Sequence, residues 1–294
     1  MMLQSGYTMM HEHVTIDLSG VKKDPDCRLD CKDQTIEEFR ALKELGVGNV
    51  LEVTNLGMGR DVDYIMDVAR ASGINILVCT GFYKEPFLPD YVYTSSEEEL
   101  ADLMVAEIED GIGKSGVKAS AIGEFGTSKG RMTDMECKVF RSCAMAARRT
   151  GRLVTTHTTL GTLGIEQADY LISMGLDPSR IVIGHMDLSN DIPLILRLLE
   201  RGVSIGFDTV GKLDYAPDSF RLEALRAIFD KGFQDQVVLS MDITRKSHLK
   251  ANGGLGYSYL FTSFVPYLMA NGFTRQDVDR LLVDNPARLL GGDA

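Results

Sequence analysis

Short apolar segments alternate with longer, helix-like segments along almost the whole chain. The apolar segments are rich in Val, Ile and Leu, which is typical of buried parallel strands. They cover residues 7–13, 48–53, 75–80, 118–124, 152–157, 180–185, 203–208 and 236–242. Helical patterns cover residues 35–46, 61–72, 95–112, 133–150, 163–175, 190–201, 217–231 and 257–271. Eight strands that alternate with eight helices predict an α/β protein, a single (β/α)8 TIM barrel over residues 1–294.

A doubly wound open sheet is the structural alternative to the barrel. That fold usually has a glycine-rich phosphate turn after its first strand, and this chain has none there. No low-complexity linker or change in composition indicates a second domain. A barrel also predicts where function lies, because active sites gather at the C-terminal ends of the barrel strands.

The composition of the chain limits the kinds of molecule that it is expected to bind. The net charge of −11 argues against nucleic acid or an anionic membrane as the main partner. No run of 18 apolar residues predicts a membrane span, and the first residues lack the pattern of a signal peptide. The five cysteines are interpreted as reduced thiols of a cytoplasmic protein. A small-molecule substrate is expected, and a homodimer is compatible with the sequence.

His11 and His13 lie at the end of the first predicted strand. Residues i and i+2 of a strand point to the same face, so the two imidazoles project together while Glu12 points away. Two imidazoles on one face form half of a transition-metal site. A pair of hydrogen-bonded core histidines is the alternative for this motif taken alone.

The ends of the later strands supply further side chains of the ligand type. Glu124 ends the fourth strand, His157 the fifth, His185 the sixth and Asp242 the eighth. Strand eight of a closed barrel lies beside strand one, so Asp242 can approach His11 and His13. Neighbouring strands are about 4.8 Å apart, which suits ligands around two metal ions about 3.5–4 Å apart. Glu52 and Asp208 also end strands, and we expect them to be outer partners of the histidines or buried polar contacts.

These residues, in this order along a barrel, resemble the binuclear-metal amidohydrolase superfamily, and most closely its phosphotriesterase family. The resemblance covers essentially the full chain. It lies in the segments Gly6-Tyr7-Thr8-x-x-His11-Glu12-His13, Thr156-His157-Thr158, Gly184-His185-x-Asp187 and Ser240-Met241-Asp242. Phosphotriesterases proper bridge their metals with a carboxylated lysine, whereas Glu124 brings its own carboxylate. Organophosphates are therefore not the expected substrates.

The resemblance implies a metal-dependent hydrolase with two divalent metal ions. Zinc is the expected metal, and manganese, cobalt and nickel are alternatives. His11, His13 and Asp242 would hold the more buried ion, and His157 and His185 the more exposed one. Glu124 and a hydroxide would bridge the two ions. Asp242 would be the catalytic residue that accepts the proton of the attacking hydroxide and passes it to the leaving group.

Two loops are candidates for substrate binding. Arg245 and Lys246 follow strand eight, and Tyr83 and Lys84 follow strand three. Arg245 and Lys246 could bind an anionic group, since both side chains suit phosphate. A solvated loop, or Arg245 paired to a nearby carboxylate, is the alternative.

The expected activity is hydrolysis of an ester-like bond, in a lactone or a phosphorylated lactone or ester. Two alternatives stay open. One is a metal-binding barrel without turnover, and the other is an amide-bond hydrolase on the same fold.

Overall fold

A computed structural model describes residues 3–291 of the chain. Eight parallel strands form one sheet in which each strand pairs with the next one along the chain, which confirms the predicted barrel. The strands are β1 (Tyr7–Glu12), β2 (Val47–Glu52), β3 (Asn75–Thr80), β4 (Ala121–Thr127), β5 (Val154–Thr158), β6 (Ile181–Ile183), β7 (Ser204–Phe207) and β8 (Val237–Leu239). A small antiparallel pair, Ile16–Asp17 with Arg28–Leu29, lies in the segment after β1.

Side-chain hydrogen bonds join β1 to the end of β8 and nearly close the barrel. The Glu12 carboxylate accepts from Ser240 Oγ at 2.7 Å and from the backbone N–H groups of Met241 and Ile243 at 2.6 and 3.2 Å. In return, the His11 N–H donates to Ser240 Oγ at 3.1 Å. Glu12 is fully buried and does point away from the two histidines, as the strand period predicts.

Helices connect the strands on the outside of the barrel. The first lies between β1 and β2, and each of the other six follows one of the strands β2 to β7 in order. The seven helices are α1 (Lys32–Glu44), α2 (Val62–Ser72), α3 (Glu97–Glu109), α4 (Asp134–Thr150), α5 (Gly164–Ser173), α6 (Ile192–Leu199) and α7 (Asp218–Asp230). Short helices at Ser19–Lys22 and Asp90–Thr94 belong to the loops. The C-terminal part contains helices at Val265–Ala270, Arg275–Asp279 and Asn285–Leu290, with π-helical turns at Leu260–Phe264 and Arg280–Asp284.

Alternation along the strands divides the core into two apolar clusters. Side chains such as Met9, Val50 and Ile183 face the helices, and neighbours such as Met10 and Leu51 face the barrel interior. Residues of the last helix, Asn285–Leu290, pack into the interior cluster. Apolar side chains therefore fill the part of the barrel interior that lies away from the C-terminal mouth. None of the helices within residues 3–291 is long and apolar enough to span a membrane.

Candidate metal centre

All six predicted metal ligands meet at the C-terminal mouth of the barrel. His11 lies in β1, Glu124 in β4 and His157 in β5, while His13, His185 and Asp242 lie one to three residues beyond the ends of their strands. The predicted strands 7–13, 180–185 and 236–242 therefore ended one to three residues too late. His185 and Asp242 follow these strands with left-handed backbone, at φ of 57° and 51°, which is strained for residues other than glycine.

Glu124 is the centre of the cluster. Its Oε2 lies 3.2 Å from His11 Nε2, 3.2 Å from His157 Nδ1 and 3.4 Å from His185 Nε2. Its Oε1 lies 3.4 Å from His13 Nε2. One carboxylate thus faces both pairs of histidines, the arrangement that a residue shared by two metal ions requires.

Asp242 adds a second carboxylate on the side of β1. Its Oδ1 lies 3.3 Å from His13 Nε2 and 3.9 Å from His11 Nε2. Its Oδ2 and its backbone carbonyl both accept from Lys212 Nζ. Lys212 follows β7 by five residues, and its only signal in the sequence is that a cation lies just past a strand end. It was not among the predicted site residues.

Polar contacts at the Nδ1 atoms, on the side away from Glu124, orient the imidazole rings of His11, His13 and His185. Asp208 Oδ1 pairs with His185 Nδ1 at 2.7 Å, and Asp208 Oδ2 lies 3.4 Å from His11 Nδ1. Thr54 Oγ1 lies 2.7 Å from His13 Nδ1. These contacts leave the Nε2 atoms of His11, His13 and His185 turned toward Glu124. Asp208 is therefore the outer partner that was expected, whereas Glu52 accepts from the backbone N–H groups of Val14 and Thr54.

A buried arginine holds the loops after β6 and β7 in place. Arg221, in α7, is fully buried and pairs with Asp187 at 2.7 Å and Asp218 at 2.8 Å. It also donates to the Thr209 carbonyl at 2.6 Å, and the Thr209 hydroxyl donates to Asp187. Because Asp187 and Thr209 adjoin His185 and Asp208, this network fixes the histidine and its carboxylate partner relative to each other.

Mutual electrostatics keep the carboxylates of the cluster ionised. Burial opposes this, but His11 and His157 hold the pKa of Glu124 well below its ordinary value. Burial likewise opposes ionisation of Asp242, and Lys212 and His13 outweigh it, so its pKa is also well below the ordinary value. Burial lowers the pKa of His157 to about 4, with His185 adding to the effect.

The donor set suits divalent cations. The buried Nε2 atoms of His11 and His13 have no hydrogen-bond partner among residues 3–291, although ionised carboxylates face them. Three overlapping groups of the described residues could each hold an ion: His11, His13 and Glu124; His11, His185 and Asp242; and Glu124, His157 and His185. Imidazole and carboxylate ligands without thiolate fit zinc and similar first-row metals.

A cavity of about 290 Å³ opens beside this cluster. Tyr83 lines it, and the phenol oxygen lies 3.3 Å from both ring nitrogens of His157. Arg245 lines it too, but its guanidinium pairs with Asp24 at 2.7 Å and Asp26 at 3.4 Å. Lys246 pairs with Asp30 at 2.7 Å and is not among the lining residues. The structure thus shows the ion pairing that was the alternative to substrate binding by this loop.

Comparison with known proteins identifies the family. A sequence model of the Phosphotriesterase family matches residues 2–290. The phosphotriesterase homology protein of Escherichia coli K12 is 48% identical over 284 residues, 97% of this chain and 97% of that protein. A crystal structure of the phosphotriesterase homology protein from Escherichia coli, complexed with phosphate in the active site, matches with a TM-score of 0.95 at 48% identity. That match covers 97% of this chain and 99% of the other.

Two further relatives have names that describe a reaction. The phospho-furanose lactonase of Mycoplasmopsis synoviae is 32% identical over 285 residues, 89% of this chain and 80% of that protein. The N-acetyltaurine hydrolase of Dictyostelium discoideum is 31% identical over 267 residues, 87% of this chain and 72% of that protein. The family match and the barrel with its cluster of histidines and carboxylates agree, and the chain belongs to the phosphotriesterase family of metal-dependent hydrolases.

Proposed function

We propose that this protein hydrolyses an ester-like bond, with a phosphorylated lactone as the favoured substrate, and that it uses two divalent metal ions. The observation that supports the proposal best is the Glu124 carboxylate, which faces four imidazoles of two histidine pairs beside an open cavity. Structural metal sites are usually closed by protein ligands, so a cavity next to the cluster favours catalysis over a purely structural role.

His11, His13 and Asp242 would hold the more buried ion, His157 and His185 the more exposed one, and Glu124 would be shared by both. Zinc is the expected metal, with manganese, cobalt or nickel as alternatives. When bound, the ions would supply Lewis acidity, which lowers the pKa of a water and polarises the bond to be cleaved.

Asp242 would handle the proton. Its Oδ1 faces His11 and His13, so Oδ2, which accepts a hydrogen bond from Lys212 Nζ and keeps a second lone pair, is the oxygen that would accept a proton from the attacking water. Lys212, in contact with Oδ2, keeps the carboxylate ionised before attack. The same carboxyl group would then deliver the proton to the leaving oxygen of the opened ester. Tyr83, whose phenol oxygen lies beside His157 and which lines the same cavity, would contact the substrate there.

Two observations favour an anionic lactone. The relative from Mycoplasmopsis synoviae is named a phospho-furanose lactonase. In a chain whose net charge is −11, the cavity is lined by four cations, Lys22, Lys84, Lys212 and Arg245. Lys212 and Arg245 are paired with carboxylates, whereas Lys22 and Lys84 form no ion pair among residues 3–291. Positive groups that line one cavity of an acidic protein attract and orient an anionic substrate.

Amide hydrolysis is the second candidate. It is favoured by the 31% identity to a relative named N-acetyltaurine hydrolase. The same centre could attack an amide carbonyl, because activation of water and of a carbonyl does not depend on whether nitrogen or oxygen leaves.

A substrate panel tests the proposal. The zinc-loaded protein is assayed with a phosphorylated furanose lactone, the same lactone without phosphate, an N-acyl aminosulfonate and a neutral phosphotriester. We expect the highest kcat/KM for the phosphorylated lactone and its loss in Asp242→Asn. Turnover of the amide alone would replace the ester proposal. No turnover of any compound by protein that has bound its metal would support a barrel without catalysis.

A further inference from the structure

Lys84 is one of the four cations that line the cavity, and the proposed function gives it no specific contact with the substrate. It lies in the loop after β3 and is half-buried. Its ammonium group lies 5.5 Å from the ring centroids of both Tyr83 and Phe87. Its hydrogen bond is a long one, 3.3 Å to the backbone carbonyl of Glu85. Two aromatic rings therefore hold the ammonium in place while leaving donors unused.

The charge of Lys84 is not balanced by a neighbouring acid. Lys212 pairs with Asp242, and Arg245 pairs with Asp24 and Asp26. Lys84, in contrast, forms no ion pair with any carboxylate in the part of the chain that the structure describes. Lys22 also lines the cavity, but it is exposed, so water screens its charge.

Burial makes this unpaired ammonium a strong site for an anion. Burial lowers the pKa of Lys84, while Glu136 and Glu124 oppose the shift from a distance. A cation that has lost part of its hydration, and has no acid beside it, gains more from an incoming anion than a cation that is already paired. Lys84 and His157 line the same cavity, and the Tyr83 ring beneath the Lys84 ammonium contacts His157 through its phenol oxygen, so Lys84 lies on the side of the more exposed half of the metal centre.

We propose that Lys84 binds the anionic oxygen group of the substrate, a phosphate monoester at the end remote from the bond that is cleaved. This inference rests on the proposed function of the same site and names the residue that sets its substrate class. Arg245 and Lys246 are already neutralised by Asp24, Asp26 and Asp30. The anion-binding role therefore moves from them to Lys84, which has no acid partner within residues 3–291.

Kinetics with a matched pair of lactones test the proposal. Lys84→Met keeps the aliphatic stem over the rings and removes the charge, and Lys84→Arg keeps the charge. We expect Lys84→Met to raise KM for the phosphorylated lactone by roughly tenfold to a hundredfold, as for loss of a charged hydrogen bond. The unphosphorylated lactone should change less than about twofold, and Lys84→Arg should restore most of the loss. Lys231→Met, the same change at an exposed lysine after α7, is the control. Equal effects on both lactones would overturn the role.

Binding measurements separate this inference from the proposed function. Isothermal titration calorimetry compares ribose 5-phosphate with ribose on the holoprotein and on Lys84→Met. A Kd for the phosphate that weakens at least about tenfold in the variant supports the role of Lys84 even if no lactone is hydrolysed. An unchanged Kd, or no binding of ribose 5-phosphate to the wild-type protein, contradicts it.

Discussion

Glu124 supplies the shared negative charge of the centre, with four imidazole nitrogens within 3.4 Å of its two oxygens. Removing it takes a ligand from both proposed ions at once. We expect Glu124→Ala to retain less metal than the wild-type protein and to lose activity by well over tenfold. Elemental analysis and steady-state kinetics measure the two effects. Glu166→Ala, the same change on the exposed side of α5, should alter neither, and full metal content in Glu124→Ala would refute the shared role.

His248, which also lines the cavity, should make stability depend on pH. Burial, and then Lys212, lower the pKa of His248 to about 4, and its Nδ1 accepts from the Thr244 N–H. The unfolded chain binds the proton near pH 6.5, so the stability is complete above that pH and declines as the pH falls toward about 4. In His248→Asn this part of the decline should be missing. Urea unfolding of both proteins at a series of pH values from about 4 to above 6.5 measures this difference. Parallel curves of the free energy of unfolding against pH would contradict the pKa shift of His248.

The ligands could be predicted from the sequence, but their surroundings could not. Four histidines and two acids were found because each lies at or just past a strand, and parallel strands bring such positions together. Lys212 escaped notice because its contact with Asp242 depends on the path of two loops, which has no periodic signal. The same limit applies to Arg245 and Lys246, whose acidic partners lie more than 200 residues earlier in the chain.

Among the elements, the order was predictable and the ends were not. Buried strands and amphipathic helices have a clear period, so all eight strands were located. The first helix was predicted at 35–46 and lies at Lys32–Glu44. Its start was missed because the residue that precedes it, Cys31, is not a typical N-cap residue. The segment 95–112 is a helix at Glu97–Glu109 with a capping box formed by Ser96 and Glu99.

The junction of β1 and β8 depends on one buried side chain. Glu12 accepts three hydrogen bonds from Ser240, Met241 and Ile243. Glu12→Ala would leave these buried donors without an acceptor, at about 1–3 kcal/mol each, so the free energy of unfolding should fall by at least about 3 kcal/mol. Urea unfolding measures it, and hydrogen exchange should show faster exchange of the Met241 and Ile243 amides. Ser240→Ala is the comparison variant, since it removes one of the three donors to Glu12 together with the acceptor of the His11 N–H. A loss no larger than that of Ser240→Ala would show that Glu12 does not close the barrel.

For the whole molecule, metal binding and folding should be coupled. The six ligands lie in or just past five different strands, and they are spread along the chain from residue 11 to residue 242. Only the folded barrel therefore brings them together. Ions that bind the folded chain but not the unfolded chain raise the free energy of unfolding by about 2.7 kcal/mol for each site when the free ion concentration is a hundred times Kd. We therefore expect chelation to lower Tm by on the order of 5 °C or more, and added zinc to restore it with an endpoint near two equivalents. Differential scanning calorimetry with a zinc titration gives both values. In Glu124→Ala the same titration should give a smaller rise in Tm. A Tm that chelation does not change, or an endpoint at one equivalent, would exclude a pair of ions as part of the folded state.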